Sequence, residues 1–181
     1  LHHHFELKGW PEPRVIVQRL HEQITRQLIN LESFVTLCYA RIDVRRKRLE
    51  LADCGHTRTI HYHRRSRRCH LLHGDNFFLG VTEECEYSQM SVPVAAGDVL
   101  LFYSDGVVEA RRGDGELFGV TRLSELVRSF APDGPDRLVK EVRRQVTAFR
   151  GKGTPTDDLT CVAVQVRSVA AEPLARKTLH I

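Results

Sequence analysis

Residues 97–110 read Gly97-Asp98-Val99-Leu100-Leu101-Phe102-Tyr103-Ser104-Asp105-Gly106-Val107-Val108-Glu109-Ala110. A turn at Ala96-Gly97-Asp98 leads into the apolar run 99–103, which is short enough for a strand buried on both faces. The run ends on a carboxylate followed at once by glycine. Buried and unpaired, that aspartate would cost several kcal/mol, so it must reach water, a cation or a hydrogen-bond donor. Gly106 permits a sharp backbone turn beside it. Taken alone, an Asp-Gly pair at a strand end is an Asx-type turn. A second acidic cluster further along alters that reading.

Around this stretch the chain has the dimensions of one domain. Its 181 residues can bury a sizeable core, and 41% hydrophobic and 28% charged residues are ordinary for a globular protein. The net charge of +4 is mild, and no apolar run approaches the length of a bilayer span. The five cysteines, Cys38, Cys54, Cys69, Cys85 and Cys161, are odd in number and outside any CxxC spacing. Reduced thiols and a cytoplasmic location follow as the expectation.

The hydrophobic period switches twice. Leu1 and Phe5 at i,i+4 read as the tail of a helix that begins upstream, and Gly9 ends it. Ile16, Leu20, Ile24, Leu28 and Leu31 predict an amphipathic helix over 13–31. From Phe34 the pattern turns β-rich, predicting strands near 34–42, 47–53, 58–63, 69–73, 86–92, 98–104 and 159–166. Two of the connections are basic turns, Arg45-Arg46-Lys47-Arg48 and the Arg64-Arg65-Ser66-Arg67-Arg68 run. Helices return at 121–130, with Thr121 as N-cap, and at 135–149, with Pro135 in the first turn. Residues 167–181 show no period and read as a mobile tail. Adjacent hairpins flanked by helices define an α+β fold, with antiparallel sheets covered by helices.

The second cluster is Thr156-Asp157-Asp158-Leu159-Thr160, immediately before the last strand. Two adjacent carboxylates repel unless solvent or a cation intervenes. With Asp105 they give two strand ends that each present carboxylate, an oxygen-only donor set suited to Mg²⁺ or Mn²⁺. The 97–110 stretch, then Gly115-Glu116-Leu117-Phe118-Gly119, then Asp157-Asp158-Leu159-Thr160, resembles the PPM-type metal-dependent serine/threonine phosphatases. The bacterial branch typified by stage II sporulation protein E is the nearest in pattern. Phe34-Val35-Thr36-Leu37 and Cys54-Gly55-His56 are similar to it in order and spacing, and Phe78-Leu79-Gly80 matches its Pro-Leu-Gly segment with Phe for Pro. The resemblance spans residues 1–166.

The resemblance implies two packed antiparallel β-sheets flanked by helices, an αββα sandwich, with a two-metal site at one sheet edge. It implies that Asp105 and Asp157 ligate a metal, with Asp158 beside them, Ser104 and Gly106 near the site, and no protein nucleophile. The activity implied is hydrolysis of phosphoserine or phosphothreonine by a metal-activated water, with two Mn²⁺ or Mg²⁺ ions in the complete enzyme. The implied substrate is a phosphorylated regulatory protein of the anti-sigma-factor-antagonist kind, in signal transduction, with a sensor domain upstream. The chain departs from the family at one point. The segment carrying the metal-bridging aspartate is absent, so these residues are expected to be the C-terminal portion of a longer phosphatase and to turn over little alone.

Two further readings compete. The missing aspartate suits a non-catalytic, phosphatase-like interaction module, against which stand Asp105 and Asp157. The arginine turns suggest nucleic acid, but without interleaved aromatics or a binding motif they read as solvated hairpin tips or a dock for an acidic protein. His56 with Cys54, Cys69 or His70 lacks zinc-like spacing and reads as a hydrogen-bonded structural histidine.

Overall fold

In the computed structural model, residues 11–153 and 157–167 are described. Pro13 sits at the start of α1 (Pro13–Asn30), where its missing N–H costs nothing. Two hairpins follow, β1 (Leu37–Asp43) with β2 (Arg48–Cys54) and β3 (Thr59–His63) with β4 (Arg68–Leu72). Then come β5 (Met90–Pro93), β6 (Val99–Tyr103) and the one-turn helix α2 (Asp105–Val108). Helices α3 (Gly119–Phe130) and α4 (Pro135–Arg150) are separated by a 3₁₀ turn at Ala131–Asp133, and β7 (Cys161–Gln165) closes the described chain.

Every strand pair is antiparallel. One sheet has the order β1-β2-β5 and the other β4-β3-β6-β7. The α+β sandwich expected from the sequence is the observed architecture. Period-two alternation sorts the side chains into three apolar layers. Cys38, Ala40 and Ile42 of β1 meet Leu100, Phe102 and Val164 between the sheets. Val99, Leu101 and Tyr103 turn the other way, into a core roofed by Leu123, Val127, Leu138, Val142 and Val146 of α3 and α4. Ala52, Cys54 and Leu79 lie under α1. Strand β6 is therefore buried on both faces, as its unbroken apolar run requires.

Several local expectations need correction. Helix α1 packs Leu20, Ile24 and Leu28 of the expected series against the core, but its most deeply buried residues are Pro13, Val17, His21 and Thr25, and Leu31 is 71% exposed. The stripe is rotated because His21 is held by polar partners under the helix. Its Nε2 bonds the Glu83 carbonyl at 3.0 Å, and its Nδ1 meets Thr25 Oγ1 at 2.8 Å and Tyr87 Oη at 3.0 Å. The first strand starts at Leu37, not 34, because Val35 instead exchanges two 2.9 Å backbone bonds with Leu79. The strand expected from 86 starts only at Met90. Asn76 accepts the Ser88 amide at 2.7 Å, and Tyr87 is turned toward His21. Thr121 lies inside α3, which begins two residues earlier at Gly119. The last strand is shorter than 159–166, since Ser104 engages Thr160 outside the regular ladder. The expected helix tail at residues 1–7 and most of the expected tail after 167 lie outside the described residues.

The basic turns are hairpin tips, as read from the sequence. Lys47 (φ 54°) and Arg67 (φ 53°) occupy the same left-handed position, one residue before the returning strand. The edge strands β1 and β7 flank an open groove of about 540 Å³, lined in part by Leu37, Tyr39, Phe102 and Val162.

Candidate metal-binding site at a sheet edge

Strands β6 and β7 are paired up to Tyr103 opposite Cys161, so the residues just beyond them leave the sheet together. Ser104 joins the two exits. Its amide donates to the Thr160 carbonyl at 3.0 Å and its hydroxyl donates to the Asp158 carbonyl at 2.9 Å. The same hydroxyl oxygen accepts the Thr160 amide at 2.9 Å. Thr57, from the loop after β2, donates its hydroxyl to the Tyr103 carbonyl and ties a third segment to this end.

Gly106 completes the join. A Cβ built on it would lie 2.4 Å from the Asp158 carbonyl oxygen and 3.4 Å from the Asp157 carbonyl carbon. Only a residue without a side chain lets the two backbones approach this closely. The requirement for glycine here is contact with the second acidic turn, more than the freedom to bend.

Both aspartates are set in the same way. Asp105 Oδ1 accepts its neighbour's amide, Gly106 N, at 2.9 Å, and Asp157 Oδ1 accepts Asp158 N at 2.7 Å. Asp105, Asp157 and Asp158 are all exposed. The fold thus brings the Asp105 turn against the Asp157-Asp158 turn at one sheet edge. It does not draw the three carboxylates into a compact triad. Among the described residues, the group of metal-capable side chains within 4.8 Å of one another is His61, His63 and Asp98.

His56 lies nearby in a structural role. Its amide donates to Asp53 Oδ1 at 3.0 Å, and its Nδ1 lies 3.3 Å from Thr36 Oγ1. Buried Asp53 also accepts the Gly74 amide at 3.0 Å through Oδ2, so one carboxylate shapes the whole loop after β2. Burial, reinforced by Asp53, pushes the Cys54 thiol up to about 12. Asp53, Thr57 and Thr160 were not singled out in the sequence. Asp53 carried a signal, an Asp two residues ahead of a glycine in an Asx-type turn. Thr57 and Thr160 carried none, since their roles depend on β6 lying between them.

The fold and the apposed acidic turns define a PPM-type phosphatase domain, also called PP2C. The family model for stage II sporulation protein E (SpoIIE) matches residues 4–167, and the chain belongs to that family. It is 25% identical over 130 residues to the phosphoserine phosphatase RsbU of Bacillus subtilis, covering 72% of this chain and 38% of that protein. Protein IcfG of Synechocystis is 26% identical over 163 residues, 86% of this chain and 25% of its own length. The chain therefore spans well under half of these relatives. Among solved structures, the SiaA-PP2C domain of Pseudomonas aeruginosa superposes with a TM-score of 0.76 at 20% identity, covering 88% of this chain and 63% of that one. The SpoIIE phosphatase domain of Bacillus subtilis, presoaked in Mn, gives a TM-score of 0.62 at 18% identity, covering 91% and 71%.

Proposed function

We propose that this chain forms part of a metal-dependent phosphatase that hydrolyses phosphoserine or phosphothreonine on a regulatory phosphoprotein. The observation that carries the reading is the close fit of Gly106 against Asp157 and Asp158, which sets carboxylates from two turns well separated in sequence at one exposed edge. The kinship with a phosphoserine phosphatase and with a domain presoaked in Mn supports the substrate class and a divalent cation. Residues 1–166 belong to this phosphatase domain.

The donors fit such an ion. They are oxygen-only, open to solvent, and borne on turns fixed by backbone hydrogen bonds, as Mn²⁺ or Mg²⁺ prefers. Asp105 and Asp157 would hold it, with Asp158 beside them. When bound, the ion supplies charge neutralisation at the phosphoryl group and activation of a water. This chain's own residues fix the geometry. Ser104 locks the two turns at a constant separation, and Thr57 anchors the end of β6 from which Asp105 projects.

The test uses the full-length protein and a phosphoserine protein substrate. Asp105→Asn and Asp157→Asn remove charge with little change of volume. Each should lower Mn²⁺-dependent phosphate release by about 100-fold or more while circular dichroism stays unchanged. Near-wild-type release by either variant would sink the metal-ligand assignment, whereas a parent protein that releases no phosphate would favour a non-catalytic interaction module.

A further inference from the structure

At the opposite end of β6 from Asp105 lies a second group of ligand-type side chains. His61 and His63 are two apart on β3 and so share a face. The register pairs His61 with Leu100 and Tyr62 with Val99, which sets His63 alongside Asp98. His61 and Asp98 are almost fully buried, while the His63 side chain is 34% exposed. His61 Nε2 lies 3.0 Å and His63 Nδ1 3.5 Å from the same oxygen, Asp98 Oδ2. The two imidazole rings are 4.0 Å apart.

We propose that His61 Nε2, His63 Nδ1 and Asp98 Oδ2 form a three-ligand zinc site, separate from the carboxylate edge. A tetrahedral zinc ion with ligands at 2.0–2.2 Å has ligand-to-ligand separations of about 3.3–3.5 Å. The two nitrogen-to-oxygen separations lie within a few tenths of an ångström of that range, and all three ligand atoms lie within 4.8 Å of one another. Two imidazoles with one carboxylate select zinc over Mg²⁺ or Mn²⁺, which prefer all-oxygen shells.

The surroundings orient the ligands as a metal site requires. Asp98 Oδ1 accepts the Arg64 amide at 3.0 Å, and Oδ2 accepts the Ala95 amide at 3.0 Å. The second lone pair of Oδ2 then points at the histidines. Zinc takes both rings in the neutral form, with His61 carrying its proton on Nδ1 and His63 on Nε2. The fourth position opens to solvent through the half-exposed side of His63. There His70, paired across the hairpin with His61, brings its ring within 5.1 Å of that of His63. The arginines of the 64–68 turn are exposed, so their opposing charge is screened. Zinc here would fasten the β3–β4 hairpin to the 95–98 turn and would take no part in hydrolysis. Strand β6, about 17 Å long at 3.3 Å per residue, separates it from Asp105.

The test is a zinc titration against a chromophoric chelator, with Co²⁺ absorption as a reporter of tetrahedral geometry. It is run on the 181-residue chain with His2, His3 and His4 replaced by alanine, so that they do not compete. The expected result is one zinc per chain, a tetrahedral Co²⁺ spectrum and a melting temperature raised by zinc. His63→Ala, at the partly exposed ligand and so least harmful to folding, should weaken zinc at least tenfold and erase the Co²⁺ bands. Asp105→Asn should retain both. The proposal is overturned if the parent chain takes up no stoichiometric zinc at micromolar concentration. Unaltered zinc binding by His63→Ala, or its loss in Asp105→Asn, would overturn it as well.

Discussion

At Gly106 a methyl group has nowhere to go, because the nearest atom is a backbone oxygen that cannot rotate away. Gly106→Ala must either force the 157–158 turn outward or strain α2. Its cost is expected to be about 1–3 kcal/mol, the range for overpacking a tight site. Chemical denaturation should show the lower midpoint, and phosphate release by the full-length protein should fall with it, since the acidic turns separate. A variant as stable and as active as the parent would mean the contact is loose. Residues of this kind differ in how readable they are. Asp105 and Asp157 stood out because carboxylates at the ends of apolar runs are chemically conspicuous. The His61–His63–Asp98 group did not, since histidines two apart on a strand become a cluster only when the register sets Asp98 beside them. Ser104 was quoted for its position, yet its three bonds across to residues 158–160 depend wholly on β6 pairing with β7.

Among the elements, the long periodic ones were legible, and the errors came where polar side chains displaced the apolar pattern. Helix α1 is the clearest case, with His21 and Thr25 on its buried face and Leu31 outside. The network beneath it joins α1 to residues 83–87 and should contribute measurably. Tyr87→Phe deletes the hydroxyl next to His21 Nδ1 but keeps the ring, which is tilted against the imidazole at 5.3 Å. Thr25 still serves Nδ1, so the loss should be about 0.5–1.5 kcal/mol, the net worth of one hydrogen bond. A urea midpoint that falls with unchanged slope would confirm a purely local effect. No change would mean that Thr25 alone satisfies the ring. The same competition shortened β5, where Asn76 captures the Ser88 amide and chain that looked like strand is spent on anchoring a loop.

Across the whole molecule, the two ends of the sandwich have opposite characters. The acidic turns sit beyond Tyr103 at one end. Both arginine tips lie at the other, because the Val94 amide bonds Lys47 at one tip and Asp98 holds the Arg64 amide at the other. That polarity was not readable from a mild net charge of +4, which says how much charge exists and nothing of where folding sends it. The layer order was readable, since period-two strands between amphipathic helices admit few arrangements.

Strand β7 has a consequence of its own for how the protein behaves in bulk solution. Among the described residues it pairs only with β6, and its sequence, Cys161-Val162-Ala163-Val164-Gln165, contains no charge, proline or glycine. Val162 is 51% exposed. An uncharged, β-branched outer strand with free backbone groups is a template on which another chain can grow a ladder. Strand β1 carries Arg41 and Asp43 along its own rim, charges that discourage such growth. At high concentration the 181-residue chain should therefore self-associate through β7, seen as light scattering that rises with time and concentration. Val162→Lys should suppress that rise without lowering the melting temperature, while Arg41→Lys should leave it unchanged. Scattering that is identical in Val162→Lys would put the adhesive surface elsewhere. With β7 as that surface, colloidal shelf life would be set by one lysine-sized gap in the charge pattern.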